Sequence, residues 1–539
     1  MLLCCSPCRK SSEQTVNHQN RNHIMQPNYQ GFVTLFLECA RHRPSAVFAT
    51  YGTQTVTLSD MERRSRAFAV NTRKLGLRPG DRVAIMLPNS PAVMACLYGM
   101  ARSGLVWIPV NPEQRGTNLA YLLEHSAPSM IIASRHDIDE LKQLGHLTQG
   151  IHLISVDDNE QELEALLDGD ASYDESVPTP DSIFSIMYTS GTTGRPKGVL
   201  ITHQMMRYAA EAAIMLADAR DDDVLFMWEP LYHIGGAQVL LMPLLRKLHL
   251  VLVRRFSASR FWDQVRECGA THIHYLGGVL QILMTQPPNA MDRMHKVRVA
   301  WGAGCQPDTW NLFRDRFGVE LREAYGMTET ASITTINGNG QAGSMGYPVP
   351  WFDIDIRDPQ GNSVPRGTRG EIVVLPKRDD CIFPGYYRNP EASARIVRNG
   401  IVHTQDIGSI NDKGALIFHG RMTDSIRCKG ENVSAWEVEH VLRMHEAVED
   451  CAVIGVKADI GEQDIKLFVQ LKLDHCAQPA ELSAWLSLRL APFQNPRYIT
   501  FVDSFTRTPS QRIMKHMLST DIEYCWDRMA RHPIEESKS

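Results

Sequence analysis

Short apolar segments alternate with segments of helical spacing over most of this chain, from about residue 29 to residue 345. Residues 58–77 carry apolar side chains at helical spacing, and Ser59 is a predicted N-cap. The segment RPGDRVAIMLPN predicts a turn and a short strand, and the helix after it is expected to end at Gly104. Strands separated by helices of this length predict parallel sheets that are covered on both faces.

The pattern changes after about residue 345, where short strands separated by turn residues predict a small antiparallel subdomain. A compact α+β unit follows from residue 424. The predicted fold class is therefore α/β, with a large N-terminal domain of parallel-rich αβα layers plus a small β subdomain, and a small mobile α+β C-terminal domain. The expected divisions are a disordered leader (1–28), the N-terminal domain (29–420), a hinge (421–424), the C-terminal domain (425–520) and a tail (521–539).

The charge balance of the chain argues against a nucleic-acid partner. The 539 residues carry a formal net charge of −5, which supplies no electrostatic attraction to phosphate backbones. The most apolar stretch, residues 239–253, contains Pro243 and the adjacent cations Arg246 and Lys247. It is too short and too charged to span a bilayer, so no transmembrane segment is expected.

The cysteines favour a reducing compartment. The 12 cysteines form no dense framework and no two matched CxxC pairs, which predicts reduced thiols and a cytoplasmic enzyme. Residues 1–25 lack the apolar core of a signal peptide. A disordered leader is the favoured interpretation, and acylation of Cys4 and Cys5 is the alternative.

The segment YTSGTTGRPKGVLITH, residues 188–203, is the most informative stretch for function. Its glycines allow a tight turn, and its backbone N–H groups and hydroxyls can bind an oligophosphate. Lys197 adds a point charge. The order Lys197-Gly198-Val199 excludes a Walker A loop, which would end in Gly-Lys-Ser/Thr.

This loop resembles the signature loop of the acyl-adenylate-forming superfamily, and the resemblance extends over about residues 30–520. Further matching motifs follow in the same order as in the family: WGAGCQP (301–307), EAYGMTET (323–330), GYYRNPEAS (385–393), HTQDIG (403–408) and GRMTDSIRCKGENVSAWEVE (420–439). Within the superfamily the chain looks most like small-acid CoA ligases, in particular the crotonobetaine/carnitine-CoA ligase type.

The resemblance implies a two-step reaction in which a carboxylate and ATP give acyl-AMP and pyrophosphate, and a thiol then attacks the acyl-AMP. Such chemistry depends on positioning and charge neutralisation, so it needs cations, N–H donors and a metal. The implied phosphate-binding residues are Thr189, Ser190, Gly191, Thr192, Thr193, Gly194 and Lys197. The implied adenine, ribose and α-phosphate residues are Gly302, Ala303, Gly304, Tyr325, Gly326, Thr328, Asp406 and Arg421. Glu329 would bind Mg²⁺ through oxygen.

The acyl-binding residues that the resemblance implies are Trp228, Tyr232, Gly235, Gly236, Trp301 and Gly302, with His233 as a gate between the acyl pocket and the phosphates. The two tryptophans, the tyrosine and nearby Glu229 are able to hold a quaternary ammonium. Two alternatives stay open at this point: the tryptophans are packing residues, and His233 is an ordinary core histidine.

The same resemblance assigns the hinge to Asp424 and places Gly430 beside the tunnel for the CoA thiol arm. Three residues depart from the family pattern, and one of them is Arg427, where many members have lysine. Arg512 replaces a lysine that reaches the attacking carboxylate and the α-phosphate, and a planar guanidinium is not equivalent to an ammonium. Gln405 replaces a glycine, which costs roughly 1 kcal/mol if the backbone there has a positive φ.

The sequence therefore predicts an ATP- and Mg²⁺-dependent acid–thiol ligase, an acyl-CoA synthetase for a small or medium carboxylic acid, with ATP, Mg²⁺ and coenzyme A as cofactors. One alternative transfers the acyl group to a separate carrier protein. The other is a non-catalytic acyl-AMP- or nucleotide-binding protein, which Arg512 and Gln405 favour and the intact phosphate loop disfavours. A homodimer is left open.

Overall fold

The computed structural model describes residues 31–143, 145, 148–157, 160–169, 173, 177–189, 196–305, 307–338, 340–422, 425–428, 431–458, 463–490, 492–508 and 512–530. The expected leader, the hinge residue Asp424 and residue Gly430 lie outside these ranges.

The α-helices of the described ranges are, in chain order, α1 (Phe32–His42), α2 (Leu58–Lys74), α3 (Pro91–Ser103), α4 (Gly116–Ser126), α5 (Arg135–Gln143), α6 (Gln161–Leu167), α7 (His203–Ala217), α8 (Ile234–Ala237), α9 (Met242–Leu245), α10 (Phe261–Glu267), α11 (Gly277–Thr285), α12 (Pro307–Phe317), α13 (Pro390–Ile396), α14 (Ala435–Arg443) and α15 (Pro479–Ser487).

The strands are β1 (Val47–Tyr51), β2 (Gln54–Thr57), β3 (Arg82–Met86), β4 (Val106–Pro109), β5 (Met130–Ser134), β6 (His152–Val156), β7 (Ile183–Thr189), β8 (Lys197–Thr202), β9 (Val224–Met227), β10 (His249–Leu252), β11 (His272–Leu276), β12 (Val299–Ala303), β13 (Glu320–Tyr325), β14 (Thr335–Asn337), β15 (Tyr347–Pro348), β16 (Phe352–Arg357), β17 (Gly370–Pro376), β18 (Val397–Arg398), β19 (Ile401–Ile410), β20 (Leu416–Arg421), β21 (Ser425–Cys428), β22 (Glu431–Ser434), β23 (Val448–Lys457), β24 (Gln463–Leu471), β25 (Tyr498–Phe501) and β26 (Trp526–Asp527).

Two parallel-rich sheets form the large N-terminal domain, which confirms the predicted fold class. One has the order β15-β14-β13-β12-β11-β9-β10-β1-β2, and the other has the order β6-β5-β3-β4-β7-β8. In the first sheet six adjacent strands are parallel, namely β1, β10, β9, β11, β12 and β13. Strands β2, β14 and β15 pair antiparallel at its edges. Helix α7 contacts β8 of one sheet and β12 and β13 of the other, so the two sheets share one apolar core.

Local capping sets the ends of the predicted helices. Thr57 caps α2: its hydroxyl accepts a hydrogen bond from the Asp60 N–H at 3.1 Å, and its own N–H donates to the Asp60 carboxylate at 2.9 Å. The prediction of Ser59 as the cap is wrong, because this reciprocal pair satisfies two backbone donors and leaves Ser59 inside the first turn. Helix α3 ends at Gly104, as predicted, with a φ of 69° that glycine adopts without strain.

A small antiparallel sheet follows the two large ones, as the change of pattern after residue 345 predicts. Its order is β16-β17-β19-β18, and β20 pairs with β19. The register of β19 against β17 shifts between His403 and Ile407, where three residues of β19 face one residue of β17. This bulge contains Gln405 and sets the direction of Asp406.

The C-terminal unit is a four-stranded sheet, β23-β24-β25-β26, with α14 packed on it and α15 packed on α14. Helix α14 also contacts β20 of the small N-terminal sheet. At this contact the Ser434 hydroxyl donates to the His419 carbonyl at 2.9 Å, and Arg369 forms an ion pair with Glu437. These contacts fix the orientation in which the C-terminal unit lies over the N-terminal domain.

No helix within the described part of the chain combines the length and the apolar character that a bilayer crossing requires. The nine cysteines in the described part are free thiols.

Candidate active site

The candidate site lies where the carboxyl ends of β12 and β13 meet the hairpin of β7 and β8. Strands β12 and β13 are parallel neighbours, so the predicted motifs that follow them emerge at one edge of the large sheet. Strand β8 contacts the short helical turn Thr328–Thr330, which follows β13. The fold thus brings the motif at residues 188–203 together with the motifs at residues 301–307 and 323–330.

The hairpin of β7 and β8, which carries the predicted phosphate-binding loop, places the Lys197 ammonium at this edge. Thr189 and Lys197 are paired at the open end of β7 and β8, and the Thr189 hydroxyl lies 3.5 Å from the Lys197 carbonyl oxygen. The Lys197 ammonium lies 5.2 Å from the centre of the Tyr386 ring. The predicted phosphate-binding residues Ser190, Gly191, Thr192, Thr193 and Gly194 lie outside the described ranges and stay a prediction.

Glu329 is a buried carboxylate beside this ammonium. The Tyr386 hydroxyl donates to its Oε1 at 2.6 Å, and the Phe383 N–H donates to its backbone carbonyl at 2.9 Å. Burial raises the pKa of Glu329, and the Tyr386 hydrogen bond and the charge of Lys197 oppose that rise. The carboxylate therefore lies in a region of low polarity, where a nearby cation is strongly attracted to it.

The strand ends beside Tyr325 are bare backbone because side chains do not fit there. A Cβ on Gly302 would lie 1.8 Å from the Tyr275 carbonyl oxygen, and a Cβ on Gly326 would lie 2.0 Å from the Ser332 carbonyl oxygen. Only glycine therefore fits at residues 302 and 326.

Glu323 holds the turn after β12 in place. It is fully buried, and it accepts a hydrogen bond from the Cys305 N–H at 2.7 Å. Burial raises the pKa of Glu323 to about 8, although the N–H groups of Cys305 and Gly304 act in the opposite direction. Ala303 and Gly304, the predicted adenine wall, thus rest on a carboxyl group that sequence reasoning did not single out.

Asp406 and Arg421 form the opposite wall of the cleft. They are cross-strand partners in β19 and β20, with Arg421 Nε 3.6 Å from Asp406 Oδ1. The Tyr325 hydroxyl donates to Asp406 Oδ2 at 2.7 Å. Gln405 has a φ of 60°, so the condition under which glutamine is costly at this position is met.

Arg512 comes from the C-terminal unit and enters the same cleft. Burial and then the charge of Arg421 lower its pKa, while the charges of Asp406 and Glu229 oppose that change. The residue as a whole is exposed, and the charges of Arg421, Asp406 and Glu229 act on its guanidinium. The C-terminal unit therefore contributes a cation to a site that is otherwise built from N-terminal residues.

His233 lies between Arg512 and a second buried carboxylate, Glu229. Burial lowers the pKa of His233, the charge of Arg512 lowers it further, and the charge of Glu229 opposes the shift. Its Nε2 is buried and has no hydrogen-bond partner among the described residues. A buried imidazole with an unpartnered ring nitrogen is therefore within reach of the charges of both Arg512 and Glu229.

Glu229 occupies space that the lack of a side chain on Gly235 leaves open. Its Oε2 lies 2.7 Å from His274 Nδ1, and its Oε1 lies 2.7 Å from the position that a Cβ on Gly235 would take. Glu229 is only 3% exposed, and within the described ranges no lysine or arginine forms an ion pair with it. A side chain does not fit at Gly236, because its Cβ would lie 2.2 Å from the Pro230 carbonyl oxygen.

The two predicted tryptophans differ in their surroundings. Trp301 packs edge-on against the His274 ring with centroids 4.4 Å apart, which places it beside the Glu229 carboxylate. The indole N–H of Trp228 donates to the His274 carbonyl at 2.7 Å, and its ring packs against Phe256. Trp228 thereby packs behind His274, and Trp301, which is 1% exposed, is also buried, so a role for either ring beside the acid stays a prediction.

Sequence reasoning missed two residues of the site, Tyr386 and His274, and it did not use Glu323. Tyr386 and Glu323 fall inside quoted motifs, so a search for buried polar partners within those motifs would have found them. His274 lies in a strand with no motif, and its link to Glu229 depends on β9 and β11 being neighbours.

Family comparisons agree with the geometry. The AMP-binding enzyme family matches residues 36–387, and the AMP-binding enzyme C-terminal domain matches residues 437–512. A crotonobetaine/carnitine–CoA ligase of Salmonella typhi is 33% identical over 463 residues, which span 82% of this chain and 89% of that protein.

Solved structures of similar fold include a benzoate CoA ligase from Burkholderia xenovorans LB400, with 26% identity and a TM-score of 0.82 over 90% of this chain and 99% of that one. An O-succinylbenzoate coenzyme A synthetase from Bacillus subtilis in complex with AMP has 24% identity and a TM-score of 0.80, over 90% and 97% of the two chains. The second likeness supports the fold alone.

The first prediction concerns the strained bulge. A left-handed conformation costs a non-glycine residue about 1–2 kcal/mol, and the greater freedom of unfolded glycine offsets about 0.4–1 kcal/mol of that. We expect Gln405→Gly to exceed Gln405→Ala by about 0.5–1 kcal/mol in free energy of unfolding, measured by urea titration. Arg398, an exposed strand residue without positive φ, is the control, and there the alanine variant should have a higher free energy of unfolding than the glycine variant. Equal stabilities at residue 405 would contradict the strain.

The second prediction concerns the pH dependence that Glu323 imposes. Its folded pKa of about 8 lies above the usual value of 4.5, so its contribution to stability is fully present below pH 4.5 and is lost as the pH rises through 8. Glu323→Gln removes this titration. Relative to the parent, the variant should therefore gain roughly 4 kcal/mol in free energy of unfolding between pH 5 and pH 9.

Urea titrations at several pH values measure this difference. Glu320→Gln, at the exposed start of the same strand, is the matched control and should show a flat difference. A flat difference for Glu323→Gln as well would mean that Glu323 is ionised throughout.

Proposed function

Because the chain belongs to the AMP-binding enzyme family and is a ligase that forms acyl-CoA thioesters, we propose that it activates a small carboxylic acid as acyl-AMP and then transfers the acyl group to CoA. The observation that carries this proposal is the convergence of Lys197, Arg421 and Arg512 on one cleft that also contains Glu329 and Asp406. Three cations and two carboxylates in one open cleft suit a nucleoside triphosphate and a metal ion.

ATP would bind with its base against the bare backbone at Gly302 and Gly326 and with its ribose at Asp406. Tyr325 supports this arrangement, because its hydroxyl holds one carboxylate oxygen of Asp406 and its ring flanks the proposed base site. Arg421 would donate beside the ribose, Thr328 would donate to the α-phosphate, and Lys197 would neutralise the outer phosphates with the loop that starts at Thr189.

The residues of the site fit a bound Mg²⁺. Magnesium prefers oxygen ligands and is commonly held by one or two carboxylates together with substrate phosphates and water. Among the described residues no cluster of three or more metal-binding side chains exists, so Glu329 would be the protein carboxylate and ATP would supply other oxygens. Tyr386 would orient Glu329 by its hydrogen bond. When bound, the ion would neutralise phosphate charge during attack on the α-phosphate.

Arg512 would act in the first half-reaction by attracting the carboxylate of the acid and the α-phosphate. His233 separates this region from Glu229, and as a neutral imidazole it would border the reacting carboxylate without repelling Arg512. The orientation of the C-terminal unit, with Arg512 in the cleft, suits this adenylation step. A rotation at the hinge near Asp424 would then withdraw Arg512 and bring the Gly430 region towards the CoA thiol.

The acid is proposed to be short and to carry a positive charge, as carnitine does. In this proposal Trp301 and His274, which pack edge to face, would close the end of the acyl region, and Gly235 and Tyr232 would border its side. Glu229 is buried next to His274 and forms no ion pair with a lysine or arginine of the described residues, so an ammonium group on the acid would add a positive charge there. Transfer to a carrier protein instead of free CoA is the alternative for the second step.

The third prediction tests the role of Arg512. Removing one charged donor from a pre-organised site typically costs about 10²–10³ in rate. Arg512→Ala should slow pyrophosphate release from acid plus ATP by about that factor and leave conversion of supplied acyl-AMP plus CoA nearly unchanged. Arg512→Lys should equal or exceed the parent in pyrophosphate release.

Crotonobetaine, carnitine and benzoate, the acids named for relatives, serve as the panel for both half-reactions. Arg489→Ala, an exposed arginine of the same unit, is the matched control. Equal loss in both half-reactions would contradict the proposed role. Tight binding of an acyl-AMP analogue without any pyrophosphate release by the parent would instead favour the non-catalytic alternative.

The fourth prediction tests the charged acyl region. A desolvated charge pair contributes on the order of 1–3 kcal/mol to recognition, which is about tenfold to hundredfold in specificity. Glu229→Gln should therefore lower the ratio of kcat/KM for carnitine to kcat/KM for benzoate at least about tenfold. Glu113→Gln, an exposed carboxylate near Tyr232, should leave the ratio unchanged. A uniform loss for both acids would identify Glu229 as a folding residue.

A further inference from the structure

Arg512 lies on a narrow hairpin whose two arms are held by hydrogen bonds. The Thr508 N–H donates to the Arg512 carbonyl at 2.7 Å, and the Arg512 N–H donates to the Thr508 hydroxyl at 3.1 Å. Arg507 and Ile513 form an antiparallel bridge just behind them. The direction of the Arg512 side chain therefore depends on how the base of this hairpin is anchored.

Both arms end in cations that reach buried carboxylates. Five residues before Arg512, the Arg507 guanidinium lies 2.6 Å from Asp450 Oδ2. Three residues after it, the Lys515 ammonium lies 2.8 Å from Glu439 Oε1. The two carboxylates belong to different elements, since Glu439 is in α14 and Asp450 is in β23.

Arg443 connects the two carboxylates. Its Nε lies 2.8 Å from Asp450 Oδ1, and its terminal nitrogen lies 3.7 Å from Glu439 Oε2. The carboxylates are only 4% and 7% exposed, and each also accepts a backbone N–H, from Val453 and Cys451 respectively. The alternating series, called here the ion-pair chain, is Lys515, Glu439, Arg443, Asp450 and Arg507.

The electrostatics of the ion-pair chain indicate that it is tightly coupled. Burial would raise the pKa of Asp450, but the charges of Arg443 and Arg507 hold it below its usual range. The ion pairs lie in a weakly polar region and fix the positions of these five side chains, because displacement of any one of them leaves a buried charge without its partner.

The ion-pair chain also touches the contact between the two domains. Glu439 and Arg443 lie in α14, the helix that packs on β20, and β20 ends at Arg421. The same helix therefore holds the Arg512 hairpin on one side and the strand that carries Arg421 on the other. The packing of α14 on β20 and the direction of the Arg512 side chain are therefore linked through these contacts.

We propose that the ion-pair chain positions the Arg512 guanidinium for acyl-adenylate formation, so that Lys515 and Arg507 act on the first half-reaction through Arg512. This inference rests on the proposed function for the role of Arg512, but the anchoring of the hairpin is measurable without any acid. Lys515 and Arg507 are positioning residues, since neither is placed in contact with a substrate.

Lys515→Met is the decisive variant, because it removes the ammonium, retains the aliphatic stem and leaves the two buried carboxylates with Arg443 and Arg507. Displacement of a reacting group by about 1 Å can cost about a hundredfold in rate. We expect pyrophosphate release to slow by about tenfold to a hundredfold and conversion of supplied acyl-AMP plus CoA to stay unchanged. Lys515→Arg should restore pyrophosphate release, and Lys472→Met, at an exposed lysine of the same unit, should behave as the parent.

A double variant separates positioning from general destabilisation. If Lys515 acts only through Arg512, adding Lys515→Met to Arg512→Ala should cause no further loss of pyrophosphate release. A full additional loss in that background, or an equal loss in both half-reactions, would overturn the proposal.

Hydrogen exchange supplies a second readout that needs no substrate. Amide exchange in residues 503–508 and 512–518 should accelerate in Lys515→Met and not in Lys472→Met, because the hairpin loses one of its two anchors. Unchanged exchange would overturn the proposal even where the parent releases pyrophosphate. A parent that releases none with any acid would refute the proposed function, and the exchange result would then decide the anchoring alone.

Discussion

The hydrogen bond from the Tyr325 hydroxyl to Asp406 joins the large parallel sheet to the small antiparallel sheet at the centre of the candidate site. It connects the carboxyl end of β13 with the bulge in β19, and so it sets the width of the cleft between them. Arg421 is held beside Asp406 by strand pairing, and Arg512 enters the cleft opposite them. The nucleotide side of the cleft depends on this one contact, because the two sheets belong to separate layers of the fold.

Buried carboxyl groups are the common feature of the site and its supports. Glu329, Glu323 and Glu229 are each almost fully removed from water, and each is held by a different kind of partner: a tyrosine hydroxyl, a backbone N–H and an imidazole. A carboxylate in such surroundings attracts a cation much more strongly than one at the surface. Under the proposed function, these three groups would serve a metal ion, the turn beside the base and a charged acid.

The C-terminal unit makes its contribution through a single arginine, and that arginine depends on charges inside the unit. The carboxylates of α14 and β23 hold the arms of its hairpin, while α14 itself packs on β20. A guanidinium at the end of a flexible loop would lose much entropy on meeting its targets. Anchoring the hairpin on both sides reduces that cost in the folded protein before substrate binds.

The sequence by itself determined the alternating α/β architecture, the family and the identity of most proposed site residues, because periodicity and motif order are local properties of the chain. It located the departure at Gln405 but left open whether the backbone there has a positive φ. It did not determine the N-cap of α2, which is Thr57 and not Ser59, because Thr57 and Asp60 form a reciprocal pair of hydrogen bonds. Only the tertiary structure decided that Tyr386 binds Glu329, that His274 meets Glu229, and that Trp228 and Trp301 both pack against His274. The Tyr386–Glu329, His274–Glu229 and Trp228–His274 pairs join residues that are 45 or more positions apart. The last two pairs are close because β9 and β11 become neighbours in the sheet, a choice that no local pattern specifies.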